Sequence, residues 1–217
     1  MDWVEWHAGY DDDGSRLAHR LRIVQGLVRT ALDALSAGPA TAISMCAGQG
    51  RDLIEVLADH PRRADVRARL VELDPRNASA AHAAARAAGL DGVEIVEGDA
   101  GLVDEYAGFV PADLVLACGV FGNLTDADVE RTVAACAALC RAGGTVVWTR
   151  HRGSPDRVPA TCSWFERHGF ERLFLTAPEL GFGVGAHRLT REPSPVPAGM
   201  RMFTFVGSDV LRAQADP

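Results

Sequence analysis

Two glycines and a few acids, in the order in which they come along the chain, carry the first chemical signal. Gly48 and Gly50 close a short apolar run, 42–46, and lead into 51–59, where Leu53, Ile54, Leu57 and Ala58 recur at helical spacing. A strand, a glycine turn and a helix in that order bare backbone N–H groups and a helix N-terminus to a ligand. Further on, a second apolar run, Arg69-Leu-Val-Glu-Leu-Asp-Pro75, ends in the acids Glu72 and Asp74. A carboxylate at the tip of the neighbouring strand is placed to accept both hydroxyls of a ribose. Asp74 has a competing duty, since Pro75 behind it makes it a good helix N-cap. The ribose assignment therefore goes to Glu72, and the chemistry indicated is the binding of a nucleoside-containing cofactor.

Three segments in this order resemble a known family. Ser44-x-Cys46-x-Gly48-x-Gly50 resembles the first motif of the class I S-adenosylmethionine-dependent methyltransferases, acidic-x-Gly-x-Gly-x-Gly, with Ser44 replacing the acid and Cys46 the first glycine. Val71-Glu72-Leu73-Asp74-Pro75 resembles the second motif, whose acid binds ribose. Glu97-Gly98-Asp99-Ala100 resembles the third, whose Asp faces the adenine amino group. The resemblance spans residues 40–190 and implies S-adenosyl-L-methionine as cofactor. It implies a cofactor site formed by Cys46, Ala47, Gly48, Gly50, Arg51 and Asp52, by Glu72 and Leu73, and by Gly98, Asp99 and Ala100. The end of the fourth strand, Cys118-Gly119, is expected to face the transferred methyl group. The implied reaction is attack of an acceptor nucleophile on the sulfonium methyl, which chiefly needs desolvation and alignment.

A general base is required only if the nucleophile arrives protonated. His151 is the candidate, because the pattern puts it at the carboxyl end of a central strand and an imidazole titrates near neutrality. A histidine between Arg150 and Arg152 also fits a solvated loop. Asn123, after the fourth strand, and Arg150, beside His151, are candidates for the acceptor; Asn123 equally suits a turn before a helix capped by Thr125. The N-terminal residues concentrate Trp3, Trp6, His7 and Tyr10. They make either an aromatic clasp on the body or a lid, with Tyr10 over the cofactor and Trp3, Trp6 and His7 over the acceptor. The arginines of the first helix, 16, 20, 22 and 29, read mostly as a solvated face, and one of the early ones could meet a cofactor carboxylate.

The 217 residues carry a net charge of −7, with arginine and no lysine as the cationic side chain, and there is no basic stripe. Nonspecific nucleic-acid binding, which needs basic surface, is disfavoured. No apolar run has membrane-spanning length and the N-terminus is not signal-like, so the reading is cytoplasmic, without nucleic-acid or membrane partners, as a monomer or homodimer. Cys46, Cys118, Cys136, Cys140 and Cys162 lie mostly in apolar runs. Without a histidine in ligand spacing they read as buried small hydrophobes, and no metal is expected. Two other functions compete with a methyltransferase acting on a small organic acceptor. A nicotinamide-dependent oxidoreductase would need G-x-G-x-x-G, which Gly48-Gln-Gly-Arg-Asp-Leu53 does not match. A non-catalytic cofactor-binding subunit is suggested by the replacements at Ser44 and Cys46.

The elements that must position these residues alternate between strand and helix. An amphipathic helix over 15–35 has a stripe of Leu17, Leu21, Val24, Leu27, Val28, Ala31 and Leu35. After the glycine loop come a strand at 65–73, an alanine-rich helix to 88, a short strand at 93–96 and an apolar strand at 112–120. A helix and the pair Gly143-Gly144 then precede a strand at 145–150. A short helix at 161–168 and strands at 170–176 and 183–190, forming an antiparallel hairpin, close the core. Residues 192–199 read as a proline-rich connector, and 202–206 as an added edge strand before a frayed end. The expectation is one α/β domain with a doubly wound, Rossmann-like, seven-stranded sheet, a terminal antiparallel hairpin and an N-terminal helical cap. Residues 1–38 would be lid and cap helix, 40–190 the cofactor-binding core and 191–217 connector and tail.

Overall fold

Apolar residues that alternate between two destinations along each strand dictate the layering. In this computed structural model, which describes residues 8–12, 14–195, 198–208 and 210–211, β1 (Ala40–Met45) turns Ala42 to one face and Ile43 and Met45 to the other. In β4 (Ala112–Ala117), Leu114 and Leu116 join the first face, and Val115 and Ala117 the second. A strand buried on both sides in this way requires helices on both. Helices α1 (Arg16–Ala34), α2 (Arg51–Asp59) and α3 (Pro75–Ala87) cover the first face, and α4 (Asp126–Leu139) and α5 (Val158–Arg167) the second.

The sheet is completed by β2 (Val66–Glu72), β3 (Val93–Glu97), β5 (Cys140–His151), β6 (Phe170–Leu175) and β7 (Phe182–Leu189), in the order β3-β2-β1-β4-β5-β7-β6. The first five strands in that order are parallel, and β7 is antiparallel to both β5 and β6. This is the expected seven-stranded sheet with its closing hairpin. The parallel registers set the heights of the loops. Met45 pairs with Val71, so Glu72 stands level with Cys46 at the start of the glycine turn. Glu72 pairs with Glu97, and Ala117 with Trp148, which puts Cys118 level with Thr149.

Local chemistry fixes the helix starts. Ser15 accepts from the Ala18 N–H, Asp74 from Arg76 with Pro75 following, and Thr125 from Asp128; each such cap contributes about 1 kcal/mol. Gly50 begins α2 at φ +71°, and a Cβ there would lie 2.5 Å from Ile54 Cδ1 and 2.9 Å from Leu70 Cδ2. Helix and strand pack this closely because that residue has no side chain.

Three expectations need correction. The cap helix buries Ala18, Val24, Val28 and Leu32, while Leu17 and Leu21 stay half-buried, Leu21 on the wall of a cavity. The fifth strand starts at Cys140, directly after α4, and not at 145. Cys140 pairs with Ala112 and Thr145 with Leu114, so the intervening residues bulge, and Gly144 fits because a Cβ would lie 2.9 Å from the Ala112 carbonyl oxygen. Residues 202–206 add no edge strand. A single bridge joins Leu102 and Arg201, the Met202 N–H donates to the Gly101 carbonyl, and Met202 and Phe203 sink into the core on the α4–α5 face. Burying those two side chains draws the segment across the carboxyl ends of the strands and away from a sheet edge.

Candidate functional site

The carboxyl ends of the parallel strands open into one large cavity of about 990 Å³. Its floor is the turn after β1, with Cys46, Ala47 and Gly48, and the first turn of α2, with Arg51 and Asp52. Glu72, Leu73 and Asp74 at the tip of β2, and Asp99 and Ala100 after β3, form one side. Cys118, Gly119 and Asn123 after β4, and Thr149, Arg150 and His151 at the end of β5, form the other. Fifteen sequence-chosen residues thus converge on one space, although the first, Tyr10, and the last, His151, stand 141 positions apart. Gly50 and Gly98 lie outside the lining. Gly50 serves the packing of α2, and Gly98 donates its N–H to the Glu72 carbonyl and sits where a Cβ would meet the Glu105 carboxylate at 2.9 Å.

Glu72 is 9% exposed. Its Oε2 accepts the Gly48 N–H at 2.7 Å and its Oε1 the Asp74 N–H at 2.9 Å. Each oxygen takes one backbone donor, so lone pairs remain for further hydroxyls. Asp99 accepts the Gly101 N–H through Oδ1 and pairs with Arg201 through Oδ2 at 2.8 Å. Asp74 caps α3 and pairs with Arg76, the structural duty the sequence suggested.

The α2 end of the floor and the opposite side are less well satisfied. Asp52, 8% exposed, has a buried Oδ1 with no hydrogen-bond partner. Burial pushes its carboxyl up to about 6, against the pull of the backbone N–H groups at the start of α2 and of the Cys118 thiol. Arg150, also 8% exposed, has a buried Nη1 with no partner. Burial lowers its affinity for the proton, opposed by Asp126. Burial likewise raises the thiols of Cys46 and Cys118, so neither is poised as a thiolate.

Cys46 has φ +48°, the one positive value at a residue other than glycine among the described residues. The family pattern puts glycine here, and the left-handed backbone is the physical reason. Ser44, in place of the motif's acid, is buried with an unpartnered Oγ and lies outside the cavity lining. The imidazole of His151 is exposed at the rim, between Gly122 and Gly153, where added Cβ atoms would touch it. Asn123 is committed to structure: its Nδ2 donates to the Gly119 carbonyl, and its Oδ1 accepts the Ser208 N–H.

Tyr10 lines the cavity beside Arg20, whose guanidinium donates to its hydroxyl at 3.4 Å, while Arg51 lies over the Tyr10 ring and pairs with Asp11. Among the four α1 arginines considered, Arg20 is the one in the lining. Trp3, Trp6 and His7 lie outside the described residues.

Sequence reasoning missed several wall residues. Thr149 accepts the Gly119 N–H at 2.8 Å and so ties β5 to the turn after β4; its signal was the polar cluster at that strand end. Asn77 follows the cap of α3. Phe203, Phe205 and Ser208 come from the C-terminal segment, which carried no motif. That segment is held by Asp128, which accepts the Thr204 N–H, and by the Asn123 carbonyl, which accepts from Val206 and Gly207. Cys136 and Cys140 are buried in the core, and among the described residues no helix is long and apolar enough to cross a membrane.

A family model described as a methyltransferase domain matches residues 44–146. No curated protein matches the chain. Solved structures share its fold at low identity. An O-methyltransferase family protein from Burkholderia thailandensis is 19% identical with a TM-score of 0.60, over 82% of this chain and 60% of that one. The chain thus spans less than two thirds of that relative. The 1,6-didemethyltoxoflavin-N1-methyltransferase of the same organism, solved with 1,6-didemethyltoxoflavin and S-adenosylhomocysteine, is 19% identical with a TM-score of 0.59 and 87% of each chain covered. The magnesium protoporphyrin IX methyltransferase of Synechocystis PCC 6803, with bound SAM, is 12% identical with a TM-score of 0.63, covering 87% of this chain and 91% of that one.

Proposed function

We propose that this chain, which belongs to the class I S-adenosylmethionine-dependent methyltransferases, moves a methyl group from S-adenosylmethionine to a small organic acceptor. One observation carries the reading: Glu72, at the tip of β2 and held by the glycine turn, stands in the wall of a large cavity at the carboxyl ends of the strands. Pockets for single small molecules run from about 300 to 1,000 Å³, and this one reaches the upper end.

The residues fit the cofactor. Glu72 would take the ribose hydroxyls, Asp99 and Ala100 the adenine, and the unpartnered Asp52 Oδ1 the ammonium of the methionine end. Arg20 is in position for its carboxylate. When bound, the cofactor supplies an electrophilic methyl on a sulfonium; the acceptor's lone pair forms the new bond while the old C–S pair stays on sulfur. The chain's own part is alignment and exclusion of water. Tyr10, Phe203 and Phe205 enclose the cavity, which supports the part of the lid reading that falls on described residues. His151, at the rim, would take the proton lost by a hydroxyl or amine acceptor. A net charge of −7 without a basic stripe supports a small acceptor over nucleic acid and a cytoplasmic setting.

Calorimetric titration with S-adenosylmethionine, S-adenosylhomocysteine and NAD side by side tests the reading. The first two are expected to bind and NAD not. Binding of NAD alone would return the pocket to dinucleotide chemistry.

A further inference from the structure

The cavity holds a cation that is only partly neutralised. Arg150, next to last in β5, is 8% exposed and forms wall between Thr149 and His151. Its Nη2 meets Asp126 Oδ1 at 3.1 Å, but Arg157 Nε takes the other oxygen of the same carboxylate at 3.2 Å. The next acid along the chain, Asp156, is occupied by Arg152 at 2.5 Å and by the Val158 N–H. Two guanidinium groups thus share one carboxylate, and the buried Arg150 Nη1 donates to nothing. Shutting a guanidinium away with an idle donor is costly, and its planar fork matches an oxyanion.

The surroundings point the same way. Asn123, the other polar side chain expected to meet the acceptor, spends its amide on Gly119 and Ser208. Phe203 and Phe205 supply an apolar wall. We infer that the methyl acceptor is a small carboxylic acid with an apolar body, and that Arg150 receives its carboxylate. Passing Asp126 wholly to Arg157 frees the guanidinium edge for the acceptor. The inference rests on the methyltransferase reading of the same pocket and deepens it.

Benzoate and benzamide, equal in shape and differing in charge, are suitable probes for calorimetry on protein saturated with S-adenosylhomocysteine. Benzoate is expected to bind at least about tenfold more tightly than benzamide, as charge-assisted hydrogen bonds allow. Arg150→Met should erase that preference and leave S-adenosylhomocysteine affinity within about twofold, while Asp126→Asn, which releases the guanidinium, should tighten benzoate binding. Equal binding of the two probes to the native protein overturns the inference. So does an Arg150→Met protein that keeps the preference, or one that loses S-adenosylhomocysteine instead, which would assign the arginine to the cofactor's carboxylate. Should Arg150→Met fail to fold, Asp126→Asn decides, since unchanged benzoate affinity in that variant counts against the assignment. If S-adenosylhomocysteine does not bind at all, the cofactor reading fails separately, and the same probe comparison on ligand-free protein still decides the role of Arg150.

Discussion

On the side of the cavity built by β2 and the loop after β3, the acids already have partners. Glu72 holds the N–H groups of Gly48 and Asp74, and Asp99 holds Gly101 and Arg201; the unpartnered atom there is neutral, Asn77 Nδ2. On the side built by α2, β4 and β5, two charged side chains keep a buried atom without a partner, Asp52 Oδ1 and Arg150 Nη1. The first side is wired before any ligand arrives, so binding there adds hydrogen bonds to an existing frame. The second stores an electrostatic cost that a ligand's own charges relieve. A pocket of this kind is set to hold a nucleoside rigidly and to respond to what sits beside it.

The largest expected effect tests whether the second side does chemistry as well as binding. His151→Ala should slow methyl transfer by about a hundredfold or more with cofactor affinity intact; unchanged turnover would return His151 to the surface. Next, Glu72→Ala removes the centre of the wired side. A loss of charge-assisted hydrogen bonds worth about 1.5–3 kcal/mol predicts weaker S-adenosylhomocysteine binding by about tenfold or more. Retained affinity would mean that the wiring is structural only.

Asp52→Asn probes the strained side directly. A carboxyl whose pKa rises from 3.8 to about 6 on folding binds its proton more tightly folded than unfolded. Its ionisation therefore erodes stability as pH rises from about 4 to about 6, and the full cost is present above pH 6. The asparagine variant should melt higher at pH 7, by about 1–3 kcal/mol of stability, yet bind S-adenosylhomocysteine more weakly. The melting advantage should vanish below about pH 4, and one that persisted there would contradict the linkage. The smallest effect is at Cys46, where the left-handed backbone costs about 1 kcal/mol. Cys46→Gly should stabilise the protein by up to that amount in a denaturant titration; a clear loss would show that packing of the thiol outweighs the backbone strain.

The wired side was legible in the sequence and the strained side was not. Glu72, Gly48 and Asp99 lie in short motifs because neighbouring parallel strands end level with one another, so local spacing carries the geometry. The sheet was legible for a related reason: Ala42–Met45 is apolar but for Ser44, and Leu114–Ala117 is apolar throughout, as suits strands buried on both faces. Arg150 and Asp52 could be named as candidates, but their unpartnered atoms depend on Asp126, Arg157 and Cys118, which no spacing connects to them. The bulge after Cys140 was hidden because Gly143-Gly144 reads as a turn. The wall made by Phe203 and Phe205 was hidden because a few apolar residues after a proline-rich stretch do not reveal where they pack.

That last wall hangs by its backbone. The N–H groups of Thr204, Val206, Gly207 and Ser208 donate to Asp128 and Asn123, and any residue but proline supplies such a donor. Beyond the buried Met202 and Phe203, its attachment therefore rests on backbone donors, whereas each change at the strand tips disturbs the sheet. Substitution at 205 or 208 offers an evolving lineage, or a protein engineer, a way to reshape the acceptor chamber while the nucleoside cradle stays as it is.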